Sequence, residues 1–180
     1  MVVDVGGGST EITWGIGHRF DGGRSLDLGT VKLLEEHLTG DPPTRTAISR
    51  ARDEIDQRLS RVTPLGKLTR YYGTAGSFTH LVSLNLELKA YHSTKVSGHR
   101  LTRENVRKFV DLFSTAPRSE VLKLPGVDPR RADVLLAGTL IIERLFEKFQ
   151  IPAFEVYDRG VRFGKIFDRL KGFVPPIQFA

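Results

Sequence analysis

Apolar positions alternate with polar ones at the start of the chain. The stub Met1-Val2-Val3 precedes a glycine run, and Thr10-Glu11-Ile12-Thr13-Trp14 then alternates with the period of a strand. Strands are predicted over residues 1–5 and 9–16, with a third near 19–28 after the turn Gly15-Ile16-Gly17-His18. Gly22-Gly23 marks a bulge or turn inside that third strand. The pattern becomes helical over Thr30–Leu38, and Thr39-Gly40-Asp41-Pro42-Pro43 breaks it. From Thr44 to Val62, apolar Ala47, Ile48, Ala51, Ile55, Leu59 and Val62 recur at helical spacing, with Arg and Asp on the other face. Leu68–Tyr72 reads as a fourth strand, and Gly73-Thr74-Ala75-Gly76-Ser77 leads into a helix. Lys95–Leu101 reads as a connector, Thr102 as the N-cap of a helix to about Ser114, and Asp128-Pro129 as the opening of a long helix to about Phe149. A last buried strand is predicted at Ala153–Tyr157, then a turn at Asp158-Arg159-Gly160 and a helix to Leu170. Gly172 and Pro175-Pro176 end regular structure.

A three-strand meander feeding crossover units implies an α/β domain with a mixed five-stranded sheet and helices on both faces. By analogy this is the ribonuclease-H-like half-domain of the actin, sugar-kinase and heat-shock-chaperone superfamily. Members of that superfamily resemble one another in having two such halves around a phosphorylated ligand, each offering a hairpin phosphate loop.

Composition narrows the class. A chain of 180 residues, 39% hydrophobic and 27% charged, is one globular domain by size. No apolar run approaches a membrane span, and no basic stretch followed by an apolar region opens the chain. Cysteine is absent, which excludes disulfides and thiolate metal sites and suits a cytoplasmic protein. Residues 1–90 carry 11 Lys+Arg against 11 Asp+Glu, and residues 91–180 carry 16 against 10, so the whole net charge of +6 lies in the second half. That asymmetry suggests a face for a polyanion, set against the plainer reading of solvated helix faces.

The candidate chemistry lies in Asp4-Val5-Gly6-Gly7-Gly8-Ser9-Thr10-Glu11. Three glycines after a β-branched run suit a turn that can reach φ > 0 and admit close approach. Several N–H groups can then converge on an anion such as phosphate. Asp4 at the strand's end is placed for a divalent cation, while Ser9, Thr10 and Glu11 add hydroxyls and a second carboxylate. An ordinary glycine-rich hairpin is the competing reading. A Walker A loop is excluded because no lysine precedes Ser9-Thr10, and a dinucleotide fingerprint because a strand follows the glycines rather than a helix. The five histidines lack metal-site spacing, no Gly-x-Ser-x-Gly elbow occurs, and no nucleic-acid motif is present.

Five segments together make the pattern specific. They are residues 4–11 above, Gly73-Thr74-Ala75-Gly76, Ser97-Gly98-His99-Arg100-Leu101, Arg131-Ala132-Asp133 with Ala137-Gly138, and Asp158-Arg159-Gly160-Val161-Arg162-Phe163-Gly164. With these in order, the chain closely resembles the second domain of the exopolyphosphatase and guanosine pentaphosphate phosphohydrolase family over residues 1–171, with 172–180 as a tail. The resemblance implies hydrolysis of a terminal phosphoanhydride, in polyphosphate or guanosine pentaphosphate, with Mg²⁺. It implies metal binding by Asp4 and Glu11, and phosphate binding by Gly6, Gly7, Gly8 and Ser9 and by the second loop, Gly73, Thr74 and Gly76. Arg131 and Asp133 read as a local pair or cap; Arg159 and Arg162 either face the cleft or form exposed salt bridges. The family's catalytic glutamate and other phosphate loop belong to a first domain, expected to be absent here, so no catalytic residue is assigned to this chain. Its implied partners are the substrate and its own N-terminal domain, with room for a homodimer of the full-length protein and no membrane or nucleic acid. The isolated chain is expected to bind without turning over. The alternative is a non-catalytic polyphosphate- or nucleotide-binding module.

Overall fold

The computed structural model describes residues 1–17, 19–63 and 68–170. His18 of the expected turn and the tail 172–180, with Gly172 and Pro175-Pro176, lie outside the described residues. The chain opens on three strands, β1 (Val2–Val5), β2 (Thr10–Ile16) and β3 (Arg19–Leu26). Helices α1 (Thr30–His37) and α2 (Arg45–Leu59) follow, then β4 (Tyr72–Thr74), α3 (Ala75–Asn85) and the short α4 (Ser93–Val96). Next come β5 (His99–Thr102), α5 (Arg103–Thr115) and the short α6 (Arg118–Val121). A 3₁₀ turn at Ala132–Val134 leads into α7 (Leu135–Phe149), then β6 (Ala153–Val156) and α8 (Val161–Arg169).

The sheet has six strands in the order β3-β2-β1-β4-β6-β5, one more than the sequence pattern predicts. β1, β4 and β6 run parallel at its centre, the antiparallel hairpins of β2 and β3 extend one side, and β5 closes the other edge antiparallel to β6. The extra strand is β5, inside the stretch read as a connector. Of its four residues only Leu101 is buried, so the strand carries almost no apolar alternation. The fourth strand sits later than expected, at Tyr72–Thr74, because Gly73 and Thr74 continue the ladder beside Val3 and Asp4. The bulge lies where β2 and β3 change register, between Trp14 and Gly15, which leaves Asp21 as the extra residue. Gly22 instead accommodates Trp14, since an added Cβ there would sit 2.8 Å from the ring.

Alternation decides which side of the sheet is covered. Val3, Val5, Ile12, Phe154 and Val156 point into the core, where Phe154 meets Phe78 edge-on at 4.8 Å between ring centroids and Phe146 at 5.1 Å. α3 lies on this face, and α7, apolar almost all round its first ten residues, is packed among α1, α2, α3 and α5. Two forked ion pairs, Arg52 with Glu143 and Arg144 with Asp56, tie α2 to α7. The opposite face carries Val2, Asp4, Glu11, Thr13, Tyr72 and Glu155. Of these Val2 is exposed and the rest half-buried, while Thr74 beside Asp4 on the same face is buried; among the described residues no helical layer buries this face as the expected second layer would. α7 also begins later than Asp128-Pro129 suggests, because Asp128 closes a turn onto the N–H groups of Arg130 and Arg131 before the 3₁₀ segment. No helix among the described residues is long and apolar enough to cross a membrane.

Candidate functional site

β1 and β4 end side by side, and a cleft of about 1020 Å³ opens beyond them, at the carboxyl ends of parallel strands where open α/β sheets bind ligands. The glycine run joins β1 to β2 as an antiparallel hairpin, closed by the Gly6 N–H donating to the Ser9 carbonyl at 2.9 Å. The Gly6 and Gly7 carbonyls accept from the Thr30 and Val31 N–H groups at 3.0 and 2.9 Å, which satisfies donors at the start of α1. In a planar trans peptide the N–H opposes the C=O, so the N–H groups of Gly7 and Gly8 point away from α1. Neither has a hydrogen-bond partner among the described residues.

The expectation of φ > 0 in this loop does not hold, since the left-handed glycines among the described residues are Gly17, Gly98 and Gly126. Close approach is what requires glycine. A Cβ on Gly6 would sit 3.1 Å from the Ser9 carbonyl oxygen, and one on Gly29 would overlap the Gly7 carbonyl. Thr10 also departs from the expected polar cluster: its buried hydroxyl donates to the Leu28 carbonyl at 2.7 Å.

Asp4 and Glu11 are direct cross-strand partners, so their side chains share the uncovered face of the sheet. Burial, and then the Glu11 charge, push the Asp4 carboxyl up from its ordinary range. Glu11 accepts from the Ser25 hydroxyl at 2.7 Å and stands outside the cleft lining. Thr74, paired with Asp4 on the other side, is 6% exposed, and its buried hydroxyl oxygen has no partner among the described residues. Gly160 leaves the space over this pair open, for a Cβ there would lie 3.6 Å from Thr74 Oγ1 and 3.7 Å from Asp4 Oδ2. Among the described residues no cluster of three or more His, Asp or Glu is present. Two adjacent carboxylates without a cationic partner do suit a magnesium ion, which takes one or two carboxylates and completes its shell with water and phosphate oxygens.

The second loop divides. Thr74 and Gly76 line the cleft, whereas Gly73 is buried on the core face against Phe78. Between them Ala75 holds φ 67, a left-handed conformation that costs a residue with a Cβ about 1–3 kcal/mol. Ala75 carries no sequence signal for this strain. Of the phosphate-loop residues, Gly6 and Gly7 line the cleft, and Gly8 and Ser9 stand outside its lining.

Arg131 corrects the sequence reading. Asp133 pairs with Arg118, whereas the Arg131 guanidinium lies against Gly76, where an added Cβ would overlap Nη1. Arg162 lines the cleft as well, and Arg159 stands over the Phe163 ring at 5.9 Å. Gly138 lets α7 approach α3, with Ser77 Oγ 2.9 Å from the place of its missing Cβ. The far wall comes from the loop after α3 and the loop before the 3₁₀ turn, with Lys89, Tyr91 and Asp128, together with His80 of α3. Burial and the neighbouring Asp158 push the Tyr91 hydroxyl up to about 12, so it stays protonated at neutral pH. His80 and Tyr91 carry no motif, and only their place in the fold reveals them.

The fold is thus a mixed α/β sheet with a glycine hairpin and paired carboxylates at the carboxyl ends of its parallel strands. The chain belongs to the Ppx/GppA phosphatase family, whose profile matches residues 1–173. It is similar to exopolyphosphatase 2 of Mycobacterium tuberculosis, with 34% identity over 148 residues, covering 81% of this chain and 46% of that protein. It is also 28% identical over 175 residues to the guanosine-5'-triphosphate,3'-diphosphate pyrophosphatase of Vibrio cholerae, covering 95% of this chain and 34% of the relative. In structure it resembles the Aquifex aeolicus Ppx/GppA enzyme, with a TM-score of 0.88 and 34% identity over 93% of this chain and 56% of the other. The chain thus spans about half the length of the Mycobacterium relative.

Proposed function

We propose that this chain is the substrate- and metal-binding half of a hydrolase that removes the terminal phosphate of inorganic polyphosphate or of guanosine pentaphosphate. The observation that carries the reading is the unpartnered N–H group of Gly7, a residue that lines the cleft together with Asp4, with a second unpartnered N–H on Gly8 next to it in the loop. Such donors suit the oxygens of a terminal phosphate, and Arg131 and Arg162 supply positive charge along the same cleft. Asp4, with Glu11 across the ladder, would hold magnesium, which when bound neutralises charge on the phosphate oxygens. The order of an antiparallel meander followed by parallel strands also supports the ribonuclease-H-like architecture of actin and the sugar kinases.

Hydrolysis further needs a water oriented in line with the leaving oxygen and a base to accept its proton. We assign those to a second half, the protein's own N-terminal domain. Two observations support that partner: this chain covers only 46% of the Mycobacterium relative and 56% of the Aquifex one, and α8 presents an apolar stripe with no residue buried. A missing general base typically costs about 10²–10⁴-fold in rate. The 180-residue chain, mixed with magnesium and polyphosphate, is therefore expected to release phosphate no faster than its Gly7→Val variant. Robust release by the chain that is lost in that variant would show a complete catalytic site here and remove the division into halves.

A further inference from the structure

α3 begins at the second loop and carries His80 one turn beyond Gly76, on the wall of the cleft. The imidazole is half-buried, and its Nε2 atom is buried without a hydrogen-bond partner among the described residues. A buried polar nitrogen in that state costs free energy unless something arrives to pair with it. Its neighbour Arg131, laid against Gly76, likewise has no ion-pair partner among the described residues. Asp128, the nearby carboxylate, is held by Arg130 through bonds of 3.0 and 3.1 Å and a third from the Arg130 N–H. The wall thus offers a guanidinium and an orphaned imidazole nitrogen close together, and the nearby carboxylate Asp128 is bonded to Arg130 rather than to either of them.

We propose that His80 and Arg131 form a subsite for a non-reacting phosphate of the substrate, in which His80 Nε2 donates to a phosphate oxygen and the imidazole takes up a proton as the ligand binds. The proposal rests on the reading of the cleft as a phosphoanhydride site. Burial first, and then the Arg131 charge, lower the His80 pKa in the free chain, with Asp128 opposing. The ring is therefore neutral near pH 7, and a polyphosphate chain beside it reverses the balance by adding negative charge. The other charged and titratable groups around the cleft are Lys89 and Tyr91 from the loop after α3, Asp158 after β6, Arg162 on α8 and Asp4 on β1. Tyr91, whose hydroxyl is pushed up to about 12, stays neutral through the relevant range. The Asp4 carboxyl, raised by burial and then by the Glu11 charge, is present in both chains, so its proton uptake is common to them.

The test compares the 180-residue chain with its His80→Gln variant by calorimetric titration with magnesium tripolyphosphate, from about pH 8 to about pH 6, in buffers of different ionisation enthalpy. The ligand's own protonation is common to both chains and cancels in the difference. The wild-type chain should take up more protons on binding, and its advantage in affinity over His80→Gln should grow about tenfold on acidification. Equal affinities and equal proton uptake at every pH would overturn the proposal and leave the phosphoanhydride reading intact. Failure of both chains to bind tripolyphosphate would overturn the two together. Proton NMR of the wild-type imidazoles gives the same answer without substitution. The His80 resonance should titrate below the ordinary imidazole range in the free chain and move to higher pH on saturation. A His80 resonance that does not move while tripolyphosphate saturates the chain would also overturn it.

Discussion

Gly29 controls the phosphate loop from outside it. It precedes α1 and gives the Gly7 carbonyl room to reach the Val31 N–H, whereas an added Cβ would overlap that carbonyl. Gly8, at the exposed tip, has nothing within 4 Å of the place its Cβ would take. Gly29→Ala should therefore cost about 1–3 kcal/mol in urea unfolding, as overpacking does, while Gly8→Ala stays within about 1 kcal/mol. Equal costs at the two positions would mean that the loop is not held through α1. At this scale the sequence is legible in part. The triplet Gly6-Gly7-Gly8 announces itself, and Asp4 follows from its place at the strand's end. Gly29 stands alone between Leu28 and Thr30, with no pattern to tie it to a loop more than twenty residues earlier in the chain. Thr10 misleads because a hydroxyl beside a glycine loop looks available, yet strand alternation turns it inward to Leu28.

Among the elements, α8 differs from every long helix before it. Ile166 and Phe167 are 56% and 37% exposed, and Val161 is 76% exposed, although the spacing of apolar residues is that of a helix meant to be covered. Replacing Ile166 and Phe167 together by Ser should shift the stability of the isolated chain by no more than about 0.5 kcal/mol, because neither side chain is buried. The same double variant should fail to assemble with the N-terminal half. A thermal melt lowered by several degrees would show instead that α8 packs on this body. The helices α2, α5 and α7 were readable because their apolar faces repeat over three or four turns. The capping box in which Thr102 accepts from the Asn105 N–H and the Asn105 side chain accepts from the Thr102 N–H fixes the start of α5. β5 escaped because an edge strand with one buried residue shows no alternation, and its identity lies in its pairing with β6. The uncovered sheet face escaped for a similar reason. Strand alternation tells which residues share a face but not whether a helix will cover it.

Across the whole molecule, six cations of the positive second half are taken up in local ion pairs. Arg103 pairs with Glu147, Arg118 with Asp133, Arg130 with Asp128, Arg144 with Asp56, Lys108 with Glu104 on its own helix, and Lys123, just past α6, with Glu120. The cations at the cleft are Arg131, Arg162 and Lys89, which favours a compact phosphate site over a long polyanion groove. The most direct measurement is therefore calorimetric titration of the 180-residue chain with tripolyphosphate, with and without magnesium, beside Asp4→Ala and Gly7→Val chains shown by melting to be folded. Saturable binding at one site is expected, strengthened by magnesium in the wild type, with that gain lost in Asp4→Ala and affinity reduced at least about tenfold in Gly7→Val. Binding of equal strength in all three chains, or none in the wild type, would contradict the assignment of the cleft to phosphate.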